Sequence, residues 1–197
     1  MPRKVYMRNH PGDRAHINKE NVAVVALDLF REYGYEHVTI EDIADVADIS
    51  KHNLERMFPT KASIIYGDLD ACAERLLFSF TDAHRDTPLK AALETAYRAI
   101  GDLSDEALAR MRLRVQILAT QPAVAGESGF YLQSLIPPTV WFLSTRDGGS
   151  PDNFRTFVIA HLLASAATAA LAWWASHTDE DPRHALTEAV TLALKCV

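Results

Sequence analysis

Cysteine is scarce in this chain. Its 197 residues include two, Cys72 and Cys196, too few for a disulfide framework or a four-thiolate zinc site. That composition suits a reducing cytoplasm. No secretory leader is expected either, because the basic start MPRKVYMRNHPGD leads into no apolar segment. Strand-like alternation and internal repeats are missing. So are the common enzyme signatures: there is no GxSxG, no phosphate-binding glycine loop and no HExxH. The sequence therefore offers no catalytic residues, metal ligands or cofactor site. Cationic excess is absent as well, with 20 Lys+Arg against 26 Asp+Glu and a formal net charge of -6. One long stretch, Phe157 to Ala175, has no Asp, Glu, Lys or Arg, about the lower length limit of a membrane span. Its His161, Ser165, Thr168 and many alanines favour a buried or interface helix, and no membrane partner is expected.

Hydrophobic residues make up 48% of the chain, enough for a real core. The pattern is all-α. A basic arm carrying Arg3, Lys4, Arg8 and Arg14 precedes a first helix from about Ile17 to Tyr33, where Val22, Val25, Ala26, Leu29 and Phe30 form one apolar stripe. Gly34 is placed to end it in the left-handed conformation. Thr39, Ser50 and Thr60 are N-cap residues for the next three helices. The second and third of the four are short and joined by a turn at Asp48-Ile49, the pattern of helix-turn-helix. The fourth is expected to run to about Phe80. Longer helices follow, one of them bent or split by Pro137-Pro138. The expected domains are 1–60, for DNA binding, and 61–197, for regulation and dimerisation.

Leu27-Asp28-Leu29-Phe30, Tyr33-Gly34-Tyr35, Val38-Thr39-Ile40, Ile43-Ala44, Ala47, Ile49-Ser50-Lys51, Phe58 and Lys61 together resemble the N-terminal domain of the TetR family of bacterial transcriptional repressors. The resemblance implies a cytoplasmic homodimer that binds a palindromic double-stranded operator and lets go when a small effector enters the C-terminal domain. Physical reasoning supplies the contacts. Lys51, His52, Asn53 and Arg56 lie opposite Leu54 and Met57, so they form the groove-facing set. Asn53 suits an adenine edge, and Arg56 a guanine or a phosphate. Thr39 and Ser50 bring backbone N–H groups to phosphates. Arg3 and Lys4 follow the DNA backbone or enter the minor groove. Lys61 stands where the resemblance implies a phosphate-contacting lysine.

Three positions depart from the family pattern. Glu55 replaces a common aromatic residue and would repel phosphate unless it pairs with Lys51 or accepts from a cytosine amine. His52 replaces a small residue. Asp48 replaces the glycine of the turn, and Asp tolerates left-handed geometry less well than Gly but better than most residues. Residues 1–61 hold nine Lys+Arg against ten Asp+Glu, so non-specific DNA affinity should be modest and sensitive to salt.

The C-terminal part is rich in large side chains on long helices, a normal way to build an apolar pocket. Arg112, Gln116, Tyr131, Trp141, Phe142, Phe157 and His161 are the expected lining. Arg110-Met111-Arg112-Leu113, Gln121-Pro122-Ala123-Val124 and the segment from Lys61 to Gly67-Asp68-Leu69 are similar to TetR-type regulators with an acyl-CoA-like ligand domain, those of mycofactocin systems among them. This implies a mainly apolar, acyl-CoA-like effector. The last two helices, Phe154 to Ser176 and Arg183 to Leu194, are the expected dimer interface through Leu163, Ala167, Leu171, Trp174, Leu186, Val190 and Leu194. Two alternatives stay open: a helical small-molecule binder that does not bind DNA, and a helical enzyme.

Overall fold

A computed structural model describes residues 19–67, 69–120, 129–147 and 150–196. The chain divides into two compact units, Met1–Gly67 and Asp68–Val197. Among the described residues both are purely helical.

The first unit begins with α1 (Lys19–Tyr33), whose Val22, Ala23, Ala26, Leu27, Leu29 and Phe30 are buried at helical spacing. Gly34 ends it at φ 84°, its N–H bonded to the Phe30 carbonyl at 3.0 Å. A Cβ there would be strained, so glycine is required. After a 3-10 turn (Tyr35–His37) come α2 (Ile40–Val46), α3 (Lys51–Met57) and α4 (Lys61–Tyr66). Each of these three starts on its expected cap. Thr39 and Asp42 form a reciprocal capping box, Ser50 accepts from the Asn53 N–H, and Thr60 pairs reciprocally with Ser63. The turn between α2 and α3 uses Asp48 at φ 52°. Leu27, Ile43, Leu54, Phe58, Ile64 and Ile65 form the fully buried centre.

Two expectations change here. The helix read from Thr60 to Phe80 is two helices: α4 ends at Tyr66 with Gly67 as its C-cap, and α5 spans Leu69–Asp82. Glycine costs helix stability, which favours a break there. The short α4 packs on α1 and belongs to the first unit, although the sequence reading began the regulatory part at 61.

The second unit continues with α6 (Leu89–Arg98), a 3-10 turn (Ala99–Gly101), α7 (Asp105–Thr120), α8 (Gly129–Asp147), α9 (Phe154–His177) and α10 (Pro182–Leu194). α9 is the central helix and packs against α7, α8 and α10. Pro137 and Pro138 lie inside α8 without splitting it. The buried Thr139 hydroxyl donates to the Leu135 carbonyl at 2.8 Å, and the Tyr97 phenol meets the same hydroxyl oxygen at 2.8 Å. With Thr139 already donating, Tyr97 is the donor of that second bond. Gly101 lets its turn close on the start of α10, where a Cβ would lie 2.9 Å from Arg183 Cγ. By length and composition alone, α9 is long and apolar enough to cross a membrane.

Candidate nucleic-acid interface and effector unit

α3 turns Leu54 fully inward, with Met57 half-buried beside it, while Lys51, His52, Glu55 and Arg56 are exposed and Asn53 is half-buried. The polar set expected to read DNA is therefore exposed or half-buried on α3, with His52 and Arg56 outermost. The left-handed Asp48 allows the tight turn that presents it. Lys51 is less available than its type suggests. Its ammonium bonds Glu41 of α2 and lies 3.7 Å from Glu55. The Glu41 hydrogen bond raises the Lys51 pKa above its ordinary value and, reciprocally, lowers that of Glu41.

The start of α2 differs from the phosphate cradle inferred from sequence. The Asp42 carboxylate accepts from the Thr39 N–H at 2.9 Å, and the Thr39 hydroxyl accepts from the Asp42 N–H at 3.1 Å. The cap thus uses part of that N-terminus and adds a negative charge to it. Lys61, for which the resemblance implied a phosphate contact, has partners within the chain. Its ammonium donates to the carbonyls of Tyr35 at 2.7 Å and Val38 at 3.1 Å, and sits 3.9 Å from the centre of the Tyr35 ring. It ties α4 to the segment after α1 and is half-buried there. Burial lowers its pKa. Arg3 and Lys4 lie outside the described residues.

The six expected pocket residues whose side chains are described do not converge. Arg112 bonds the carbonyls of Trp174, Ala175 and Thr178, lies 4.2 Å from the Trp174 ring centre and pairs with Asp179 at 3.5 Å. Gln116 donates to the Ala175 carbonyl at 2.6 Å. Both therefore cap the C-terminus of α9, where a cationic donor satisfies free carbonyls. Phe142 is core, stacked on Phe80 at 4.2 Å. Trp141 and Phe157 are exposed, and His161 sits on Phe157, bonded to its carbonyl. The Tyr131 side chain lies outside the described residues. Helical periodicity identified large residues without showing which helix face each one shares with the others.

The expected dimer residues need a similar correction. Leu163, Ala167, Leu171, Leu186 and Val190 are fully buried and Trp174 is 2% exposed, all within one chain. Leu194 is half-buried. They hold α9 to its own neighbours. The face that one chain leaves open is the opposite one, with Phe154, Phe157, Val158, Ser165, Ala169 and Trp173 exposed along α9 and Leu192 on α10. Between these two helices runs an apolar groove of about 820 Å³, whose lining includes Leu162, Ala166, Ala169 and Trp173 together with Glu180, Asp181 and Glu188. Sequence reading named residues on the inner face of these two helices, which one chain already covers.

Two family models cover most of the chain. Residues 24–65 match the model of bacterial regulatory proteins, tetR family, and residues 87–195 match the MftR C-terminal domain. The chain is 25% identical over 186 residues to MftR of Mycobacterium tuberculosis, a protein named for transcriptional regulation of mycofactocin biosynthesis; the match spans 94% of this chain and 92% of that one. A TetR-family regulator from Syntrophomonas wolfei has a similar structure, with a TM-score of 0.67, 16% identity and coverage of 90% of this chain and 93% of the other. The Bacillus subtilis regulator FadR, solved in complex with stearoyl-CoA, gives a TM-score of 0.65 at 12% identity, over 91% of this chain and 100% of that one.

Proposed function

Since the chain belongs to the TetR family of bacterial regulatory proteins, DNA-binding transcription regulators and not enzymes, we propose that it acts as an effector-released repressor. In this reading a homodimer in the cytoplasm grips a palindromic operator with two copies of α3. The observation that carries the reading is the polar surface of α3, with Lys51, His52, Asn53 and Arg56 together beyond the left-handed turn at Asp48. Asn53 and Arg56 have the donor patterns suited to adenine and guanine edges in the major groove.

A second copy of the chain fits the open face of α9 and α10. A palindrome calls for a two-fold protein. The exposed row from Phe154 to Trp173 passes half-buried His161 and Leu162 before Ser165 and Ala169, which are small enough for a partner backbone to approach closely. A bilayer is the poorer cover for α9, because its other faces already pack on three helices.

The effector belongs to the second unit. An acyl-CoA-like molecule is supported by the FadR complex with stearoyl-CoA and by cationic side chains on α7, where Arg114 is 2% exposed and Arg110 precedes it by one turn. To release DNA, the effector must favour the non-binding state by differential affinity. Selection of duplexes from a random pool tests the core of this reading. A palindrome should be enriched, and saturating acyl-CoA should weaken binding to it. Failure to enrich any sequence at low salt would leave a small-molecule binder without operator recognition.

A further inference from the structure

Glu55 sits where the reading surface should be most hospitable to DNA, and the surrounding charges do not cancel it. Successive residues of a helix are rotated by about 100°. With Leu54 and Phe58 buried, His52 and Arg56 are the outermost pair of α3, and Asn53 and Glu55 flank them on either side. On the Glu55 flank lie Lys51 and, from α2, Glu41. Lys51 touches both carboxylates, closely to Glu41 and at 3.7 Å to Glu55. Among the described residues, that edge therefore holds two negative groups for one positive group. Glu55 is the loosely held member, free to leave Lys51 paired with Glu41.

We propose that Glu55 is a selectivity residue of the DNA-reading helix: it disfavours ordinary duplex and accepts a hydrogen bond from the amino group of one cytosine in each operator half-site. The inference rests on α3 entering the major groove. An ionised carboxylate only accepts hydrogen bonds. The phosphates, guanine N7 and O6, and thymine O4 are all acceptors, so none of them can satisfy it. Cytosine N4 and adenine N6 are the donors in the groove, and adenine sets its N7 acceptor beside N6. Cytosine is the base that offers a donor without that neighbour. At any other site the carboxylate faces phosphates with only the 3.7 Å contact to Lys51, which it shares with Glu41, to offset them.

The test compares wild type, Glu55→Ala and Glu55→Gln in two assays: selection from a random duplex pool, and binding to a fixed non-operator duplex across a salt series. All three should melt alike, since Glu55 is exposed. Wild type should select cytosine at one position of each half-site. Glu55→Ala should lose that preference and keep the others. Glu55→Gln should shift it towards adenine, which offers an amide both a donor and an acceptor. Non-operator affinity of Glu55→Ala should rise roughly threefold at low salt, the effect of removing one charge about 7 Å from a phosphate in water. Identical base preferences in the three proteins, with unchanged non-operator affinity, would overturn the role of Glu55 and leave α3 as the reader. Absence of any enriched sequence from wild type would overturn the proposal together with the operator reading.

Discussion

Lys61 shows how one side chain can satisfy a motif and still serve another purpose. Its bonds to the Tyr35 and Val38 carbonyls and its place over the Tyr35 ring make it a brace inside the first unit. Lys61→Met keeps the length and loses the donors. It should destabilise the first unit by about 1–2 kcal/mol, the cost of leaving partly buried carbonyls unpaired, measurable by urea titration. If the variant instead kept its midpoint and lost affinity equally for every duplex, Lys61 would be a phosphate contact after all. Asp48 offers a cleaner comparison. It stands at φ 52°, where glycine carries no steric cost. Asp48→Gly should leave stability within about 1 kcal/mol of wild type, the balance between relief of strain and added freedom in the unfolded chain, and a thermal melt checks this.

Among the elements, α8 shows most clearly how a sequence warning was absorbed by packing. Two consecutive prolines remove backbone donors, yet the helix continues through them, and just beyond them Thr139 donates to Leu135 and receives from Tyr97 across to α6. Burial raises the Tyr97 phenol above its ordinary value of 10.0. The folded state therefore keeps a proton that the unfolded chain loses first. The associated stability is complete below pH 10 and falls as pH climbs above it. Tyr97→Phe should flatten this alkaline loss and cost about 1 kcal/mol at neutral pH, as followed by denaturation at pH 7 and pH 10.5. The caps at Thr39, Ser50 and Thr60, the stop at Gly34 and the helix-turn-helix pattern itself were legible in the sequence, because caps and breakers act over three or four residues. The inner and outer faces of α9 were not. Its charge-free run gives no polar stripe to mark the solvent side, and only contacts with α7, α8 and α10 decide it.

For the whole molecule, that choice of face becomes a measurable difference between two neighbouring alanines. Ala167 is fully buried, whereas Ala169 lies on the exposed face of α9. Ala169→Arg should yield a folded monomer by sedimentation, with its melting temperature lowered through lost association. Ala167→Arg should fail to fold its second unit, since the core has no room for a charged side chain. Equal sedimentation of wild type and Ala169→Arg would move the partner contact elsewhere. The same face supplies an optical readout. The three tryptophans occupy contrasting surroundings: Trp174 is 2% exposed with its indole N–H bonded to the Glu180 carbonyl, while Trp141 and Trp173 are exposed by 43% and 56%. Of these, Trp173 lines the groove between α9 and α10. On the proposed dimer, emission in a Trp141→Phe background, where Trp173 and the buried Trp174 remain, should shift to the red on dilution as Trp173 regains water, so that unlabelled protein reports its own assembly by colour.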